Sequence, residues 1–161
     1  MGNILKNKSL INLEFRMYGL VNYQLSGIQK GIQFGHAVVE YGLKYFKDDD
    51  YQLWGKRDKT FIILNGGTTN NSTYVDLRGS LNNHLTLLQN NKIKLSTFNE
   101  PDLGNQLTAV VFLVDERVFN EEKYPDDNGV DPFEDWTVGI ERKELKKILF
   151  LRKFLKQFKF A

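Results

Sequence analysis

Apolar and polar positions fall into blocks whose period changes along the chain, and the changes mark a series of strands and helices. Leu13 to Tyr23 is rich in strand-forming types, with Phe15, Met17, Leu20, Val21 and Tyr23 among its apolar positions, and predicts a first strand. Ser26 followed by Gln29 has the spacing of a capping box. Ile28, Ile32, Gly35, Val39 and Phe46 then recur on one helical face, predicting an amphipathic helix from Ser26 to Phe46. Asp48-Asp49-Asp50 closes that helix. Thr60 to Asn65 is a short apolar run ended by Gly66-Gly67, the pattern of a strand buried on both faces. Thr73 and Asp76 make a second capping box ahead of Leu77, Leu81, Leu85 and Leu88, a second helix running to Gln89. Ile93, Leu95 and Thr97 alternate with Lys94, Ser96 and Phe98 as in a half-exposed strand, whereas Leu107 to Val114 is nearly all apolar and reads as central.

Glu100-Pro101-Asp102-Leu103-Gly104-Asn105 is short enough to join those two strands as a hairpin. From Val138 to Phe160 a third helix is expected, with Ile148, Leu151, Leu155 and Phe158 in one stripe and Leu145, Leu149 and Phe150 off it. The fold expectation is an α/β domain, three layers α/β/α around a mixed four-stranded sheet, in the order β-α-β-α-β-β plus a C-terminal helix. Residues 1–114 form the core, and residues 115–161 add an acidic loop and a basic C-terminal helix packed on the same domain.

At 161 residues, with 41% hydrophobic and 13% aromatic content, the chain has enough apolar surface for one core. It has no cysteine, which excludes disulfide scaffolds, thiol catalysis and Cys-ligated metals and fits a cytoplasmic setting. No apolar run has the length of a membrane span, and Met1-Gly2 lacks the Ser or Thr that myristoylation requires at the position of Lys6. The formal charge of +2 is unevenly spread: residues 141 to 161 carry eight Lys/Arg against two acids, while Asp115 to Asp135 holds nine acids against Arg117 and Lys123. The C-terminal helix is therefore basic, and its lysines interleave with more apolar residues than one stripe needs. A homo-oligomer or a protein partner would cover Leu145, Leu149 and Phe150.

Two groups of residues could carry chemistry. Gln29, Gln33, His36 and Glu40 are spaced to form one polar stripe on the first helix, either a solvated flank or the border of a cleft. Gly31 and Gly35 inside the same helix point to close backbone approach, by the sheet or by a ligand. The hairpin supplies Glu100, Asp102, Asn105, Gln106 and Thr108, groups suited to polarising water and an ester carbonyl but also to building an ordinary turn. The topology of a βα unit brings both groups to one edge of the sheet, with Gln33, His36, Glu100 and Asp102 directed toward one cleft. Asp126 to Asp131 resembles a calcium loop only weakly, Gly66-Gly67 matches neither phosphate-binding fingerprint, and His84 reads as a structural histidine in a Leu-rich helix.

The element order, with Gln33-Phe34-Gly35-His36-Ala37 in the middle of the first helix, resembles type II peptidyl-tRNA hydrolases, whose first helix carries Gln-x-x-His-Ala. The resemblance spans Phe15 to Val114. The segments Leu25 to Gln33 and Glu100 to Ala109 look more like a divergent, bacteriophage-like branch. It implies a metal-independent hydrolysis of the ester joining a peptide to tRNA, with no cofactor, on a domain that is commonly dimeric. On it, Glu100 or Asp102 would orient or deprotonate water, Thr108 matches the strand-four threonine, and His36 completes the catalytic set. Gln33, Lys30, Gln29 and Asn105 would bind substrate. The family's Gly-Lys-Gly-Lys run is missing, and Lys30 is the nearest substitute. The alternative is a non-catalytic phage-type protein that keeps the fold as a tRNA-binding or protein-interaction module.

Overall fold

Four strands, Phe15–Asn22 (β1), Thr60–Gly67 (β2), Ser96–Glu100 (β3) and Gln106–Asp115 (β4), build one mixed sheet in the order β2-β1-β4-β3 in the computed structural model, which describes residues 10–70, 74, 77–126 and 135–161. β1 pairs in parallel with β2 and antiparallel with β4, and β4 pairs antiparallel with β3. The parallel pair needs a crossover, supplied by the helix Gly27–Tyr45 (α1); the hairpin from β3 to β4 does not. A short helix, Asp49–Leu53 (α2), runs into a π-turn at Trp54–Asp58 before β2. The helix Ser80–Asn90 (α3) returns the chain to β3, the single turn Glu116–Phe119 (α4) follows β4, and Arg142–Leu155 (α5) closes the order.

Helices cover both faces of the sheet. On one side Phe34, Ala37 and Tyr41 of α1, with Trp54, pack on Phe15, Met17, Val21, Ala109 and Val111. On the other, Leu81 and Leu88 of α3 and Ile148, Leu151 and Phe154 of α5 pack on Leu20, Leu64, Val110 and Phe112. β1 and β4 are therefore nearly all apolar because each is covered twice. β2 departs from the expectation of a strand buried on both faces: it lies at an edge, and Phe61 is 52% exposed. Its outer edge is blunted by the end of the chain, where Asn65 N–H donates to the Lys159 carbonyl and Ala161 N–H to that of Ile63.

The capping box at Ser26 and Gln29 forms as its spacing predicts. The face that the helix turns inward does not follow the expected apolar set. Gln33, Phe34, Ala37, Tyr41 and Gly42 are buried, while Ile28, Ile32, Val39 and Phe46 are exposed. Gly31 and Gly35 meet no neighbour: a Cβ at either would have nothing within 4 Å. The close approach occurs at Gly19 of β1 instead, where a Cβ would stand 2.2 Å from the Phe34 ring.

The C-terminal helix is shorter than its pattern and packs more fully. Phe150, expected to need a partner, lies against the core of its own domain and stacks on Phe154 at 5.4 Å. Leu145 is half-buried and Leu149 is 47% exposed, so the second patch shrinks to about one side chain. Arg152, one of the eight basic residues of segment 141–161, is buried; it donates to the carbonyls of Arg117 and Tyr124 and pairs with Asp126 at 3.1 Å. Thr73 and Asp76 of the second expected capping box, most of the weak calcium-loop segment and Met1-Gly2 lie outside the described residues, as do residues 1–9 and 127–134 generally. Among the described residues no helix is long and apolar enough to cross a membrane.

Candidate functional site

At the end of the sheet where β1, β2 and β3 finish and β4 begins, α1 passes over the β3–β4 hairpin. Pairing slips between Phe98 and Asn99, so that Phe98 faces Ala109 and Asn99 faces Leu107. Thr108 is the extra residue of this bulge, and it is turned to the α1 side next to Ala109, which already faces that way. The Thr108 hydroxyl stands 2.6 Å from Gln33 Oε1, to which it donates, and 3.1 Å from the Phe98 carbonyl. Gln33 Nε2 in turn donates to Glu100 Oε2 at 2.7 Å. Thr108 is 1% exposed and Gln33 7%, so both polar groups are placed in the core and satisfied by one another.

Glu100 is the open end of this chain. Its other oxygen, Oε1, accepts the Asp102 N–H at 3.2 Å, capping the 3-10 turn Pro101–Leu103. The Gln33 amide holds the Glu100 carboxyl below the usual carboxylate range, helped by the Asp102 N–H and by attraction to His36. The group is thus ionised around neutrality. His36, one turn beyond Gln33, stacks its ring on Phe98 with centroids 4.5 Å apart. Phe98 was visible in the sequence only as one position of a half-exposed strand. Its place two residues before Glu100, hence on the same face of β3, is the signal that ties it to the site.

The other sequence candidates sort differently. Gln29 spends its side chain on the capping box, accepting the Ser26 N–H at 3.2 Å. Lys30 is half-buried, and its side chain makes no hydrogen bond or ion pair with the cluster. The Asp102 carboxylate is exposed, and only its backbone joins Glu100. Asn105 is exposed at φ 59°, donates its N–H to the Glu100 carbonyl and accepts from the Asn99 amide, so it shapes the turn. Sequence reasoning did not find Asn22 and Thr69. The buried Asn22 amide donates to Thr69 Oγ1 at 2.9 Å and that hydroxyl donates to the Leu107 carbonyl, bracing the start of β4 beside Thr108.

A cleft of about 420 Å³ lies at the opposite end of the sheet, between β4 and α5, but its chief charges are already paired. Arg117 holds Asp115 at 2.9 Å and Glu144 at 2.7 Å, and Lys94 holds Asp50 at 3.1 Å. The Gln33–Glu100–His36 cluster, with one ionised and accessible carboxylate, is the better chemical site. Among the described residues no group of three or more His, Asp or Glu side chains is arranged to hold a metal ion. Compared with known proteins, the chain matches no family model and no curated protein.

Proposed function

We propose that the protein hydrolyses the ester bond of peptidyl-tRNA without a metal, in the manner of type II peptidyl-tRNA hydrolases, acting in the cytoplasm where that substrate is found. The observation that carries the reading is the chain Thr108–Gln33–Glu100 with His36 beside it, because it joins the two separate sequence segments that the resemblance picked out. In this reading Glu100 is too firmly ionised to be the strongest base; it aligns water and stabilises an imidazolium. His36 takes the proton from that water and returns it to the ribose oxygen that leaves, since imidazole can do both near neutrality. Thr108 and Gln33 hold the Glu100 carboxylate in place. Asp102 and Asn105 line the accessible rim, with Lys30 and Gln29 on the α1 side toward the tRNA.

Release of N-acetyl-aminoacyl groups from tRNA by the purified protein in the presence of a chelator tests the proposal. A rate well above the spontaneous one, lost in both His36→Ala and Glu100→Gln, supports it; a rate indistinguishable from spontaneous hydrolysis overturns it. A non-catalytic tRNA-binding or protein-interaction module is the second reading, favoured by the missing lysine run. It predicts no release, with binding either to tRNA through the basic face of α5, falling steeply with salt, or to a protein through Leu149 and Leu145, insensitive to salt.

A further inference from the structure

We propose that the cleft between β1–β2 and α5, on the face of the sheet opposite α1, binds a small monocarboxylate with an apolar body, such as a medium-chain fatty acid. The cleft measures about 370 Å³, the size of a small-molecule site. Ile62 and Leu64 of β2 form its floor, Leu155 of α5 one wall, and Phe160, 78% exposed, its outer rim. Ile62 and Leu155 are only half-buried, so apolar surface inside the cleft is left to water although two helices already lie on this face. The body of the ligand replaces that water.

The polar end is built on β1. Arg16 is fixed twice: its Nε donates to Glu14 Oε1 at 2.8 Å, and its guanidinium carbon lies 3.8 Å from the centre of the Phe119 ring. Glu14 takes only Nε, and among the described residues no carboxylate accepts a hydrogen bond from either Nη. That Nη pair is a fork matching the two oxygens of one carboxylate. The Tyr18 hydroxyl lies beside the guanidinium as a further donor; burial, against the opposing pull of Arg16, holds it above the ordinary phenol value, so it keeps its proton. Charge then selects the class. Arg152 and Lys156 also line the cleft, but the first is consumed by the Arg117 and Tyr124 carbonyls and Asp126, the second by Glu121 at 2.8 Å. One fork remains, matched to a single negative charge, whereas a dianion would face Glu121 and Glu14 with no second free cation to offset them. The inference is independent of the reaction proposed at α1, because the sheet stands between the two sites.

Isothermal titration of the full chain with octanoate tests the proposal, with 1-octanol as the same chain without the charge. One octanoate per protein with a Kd below about 1 mM, and 1-octanol weaker by about tenfold or more, are expected. Arg16→Gln, at a partly exposed position, stays folded by circular dichroism and weakens octanoate about tenfold or more while leaving 1-octanol unchanged. Octanoate moves the backbone amide NMR signals of Tyr18, Ile62, Leu64 and Leu155 in the wild type, and not those of Ile28 and Val39, which are exposed on α1. If Arg16→Gln does not fold, these signals and the 1-octanol comparison decide the matter by themselves. The inference is overturned by the absence of saturable octanoate binding up to about 5 mM, or by 1-octanol binding as tightly as octanoate. It is equally overturned by a folded Arg16→Gln variant that binds octanoate as the wild type does, or by signal changes centred on α1.

Discussion

The two long helices that flank the sheet each bury one polar side chain, and they do so to different ends. In α5, Arg152 is surrounded by groups that consume it: the carbonyls of Arg117 and Tyr124, Asp126 at 3.1 Å and the Trp136 ring 4.8 Å away. Its work is to tie the segment after β4 to the helix. In α1, Gln33 hands its hydrogen bonding outward, from a buried hydroxyl to a carboxylate that water can reach. A buried polar group whose bonds go mainly to backbone carbonyls is a fastener, whereas one that relays orientation between a buried hydroxyl and the carboxylate beside an exposed histidine is part of a candidate site. The apolar surface follows the same division. α5 turns nearly all of its large side chains inward, and α1 leaves four outside, with Phe46 at its C-cap a fifth.

The sharpest way to break this contrast is Arg152→Met. It strands two carbonyls and should cost about 3 kcal/mol in urea unfolding, leaving the chemistry at α1 unchanged in whatever protein remains folded. Gln33→Leu should do the reverse: a stability loss of about 1 kcal/mol, because the Thr108 hydroxyl retains the Phe98 carbonyl at 3.1 Å, with a fall of about tenfold or more in the proposed peptidyl-tRNA hydrolysis. Equal effects of the two substitutions on stability would erase the distinction. Gly35→Ala should stabilise the monomer by about 0.5–1 kcal/mol in thermal unfolding, since the helix gains propensity and the added methyl meets nothing.

The smallest effect belongs to His84, whose ring sits against Phe154 and Phe158 at 5.7 and 4.8 Å. Burial holds it below the ordinary imidazole value of 6.5, and its buried Nδ1 has no partner. The neutral form is therefore the one the fold accepts. The stability this contributes is present above pH 6.5 and declines as pH falls toward the lowered folded value, because the unfolded chain takes up the proton first. A His84→Phe variant should lose that part of the acid dependence in unfolding experiments between pH 7 and 5.

Much of the local order was readable. The capping box at Ser26, the left-handed Gly104 of the hairpin, the central character of Leu107–Val114 and the hairpin position of Glu100 all depend on neighbours within a few residues. The candidate site was half readable: Gln33, His36, Glu100 and Thr108 were each singled out, but Asp102, Lys30 and Gln29 carry no sign in the sequence that they stay outside the hydrogen-bonded chain. α2 and its π-turn were missed because Asp48-Asp49-Asp50 looks like a helix stop and serves as the start of the next helix. Asn22 and Thr69 gave no warning, since their bond spans 47 residues.

Sequence alone determined the order of the four strands and three long helices, the mixed sheet and the two segments that meet at the candidate site, because periodicity and capping are local. Tertiary structure decided which face of α1 turns inward. Two apolar stripes on that helix satisfy the same 3.6-residue period, Phe34–Ala37–Tyr41 and Ile28–Ile32–Val39, and no local rule ranks them. The choice falls to the first because Gly19 of β1 leaves room for the Phe34 ring and the bulge at Thr108 offers Gln33 a partner. Both are shape and hydrogen-bond matches between residues far apart in the chain, available only once the strands have paired.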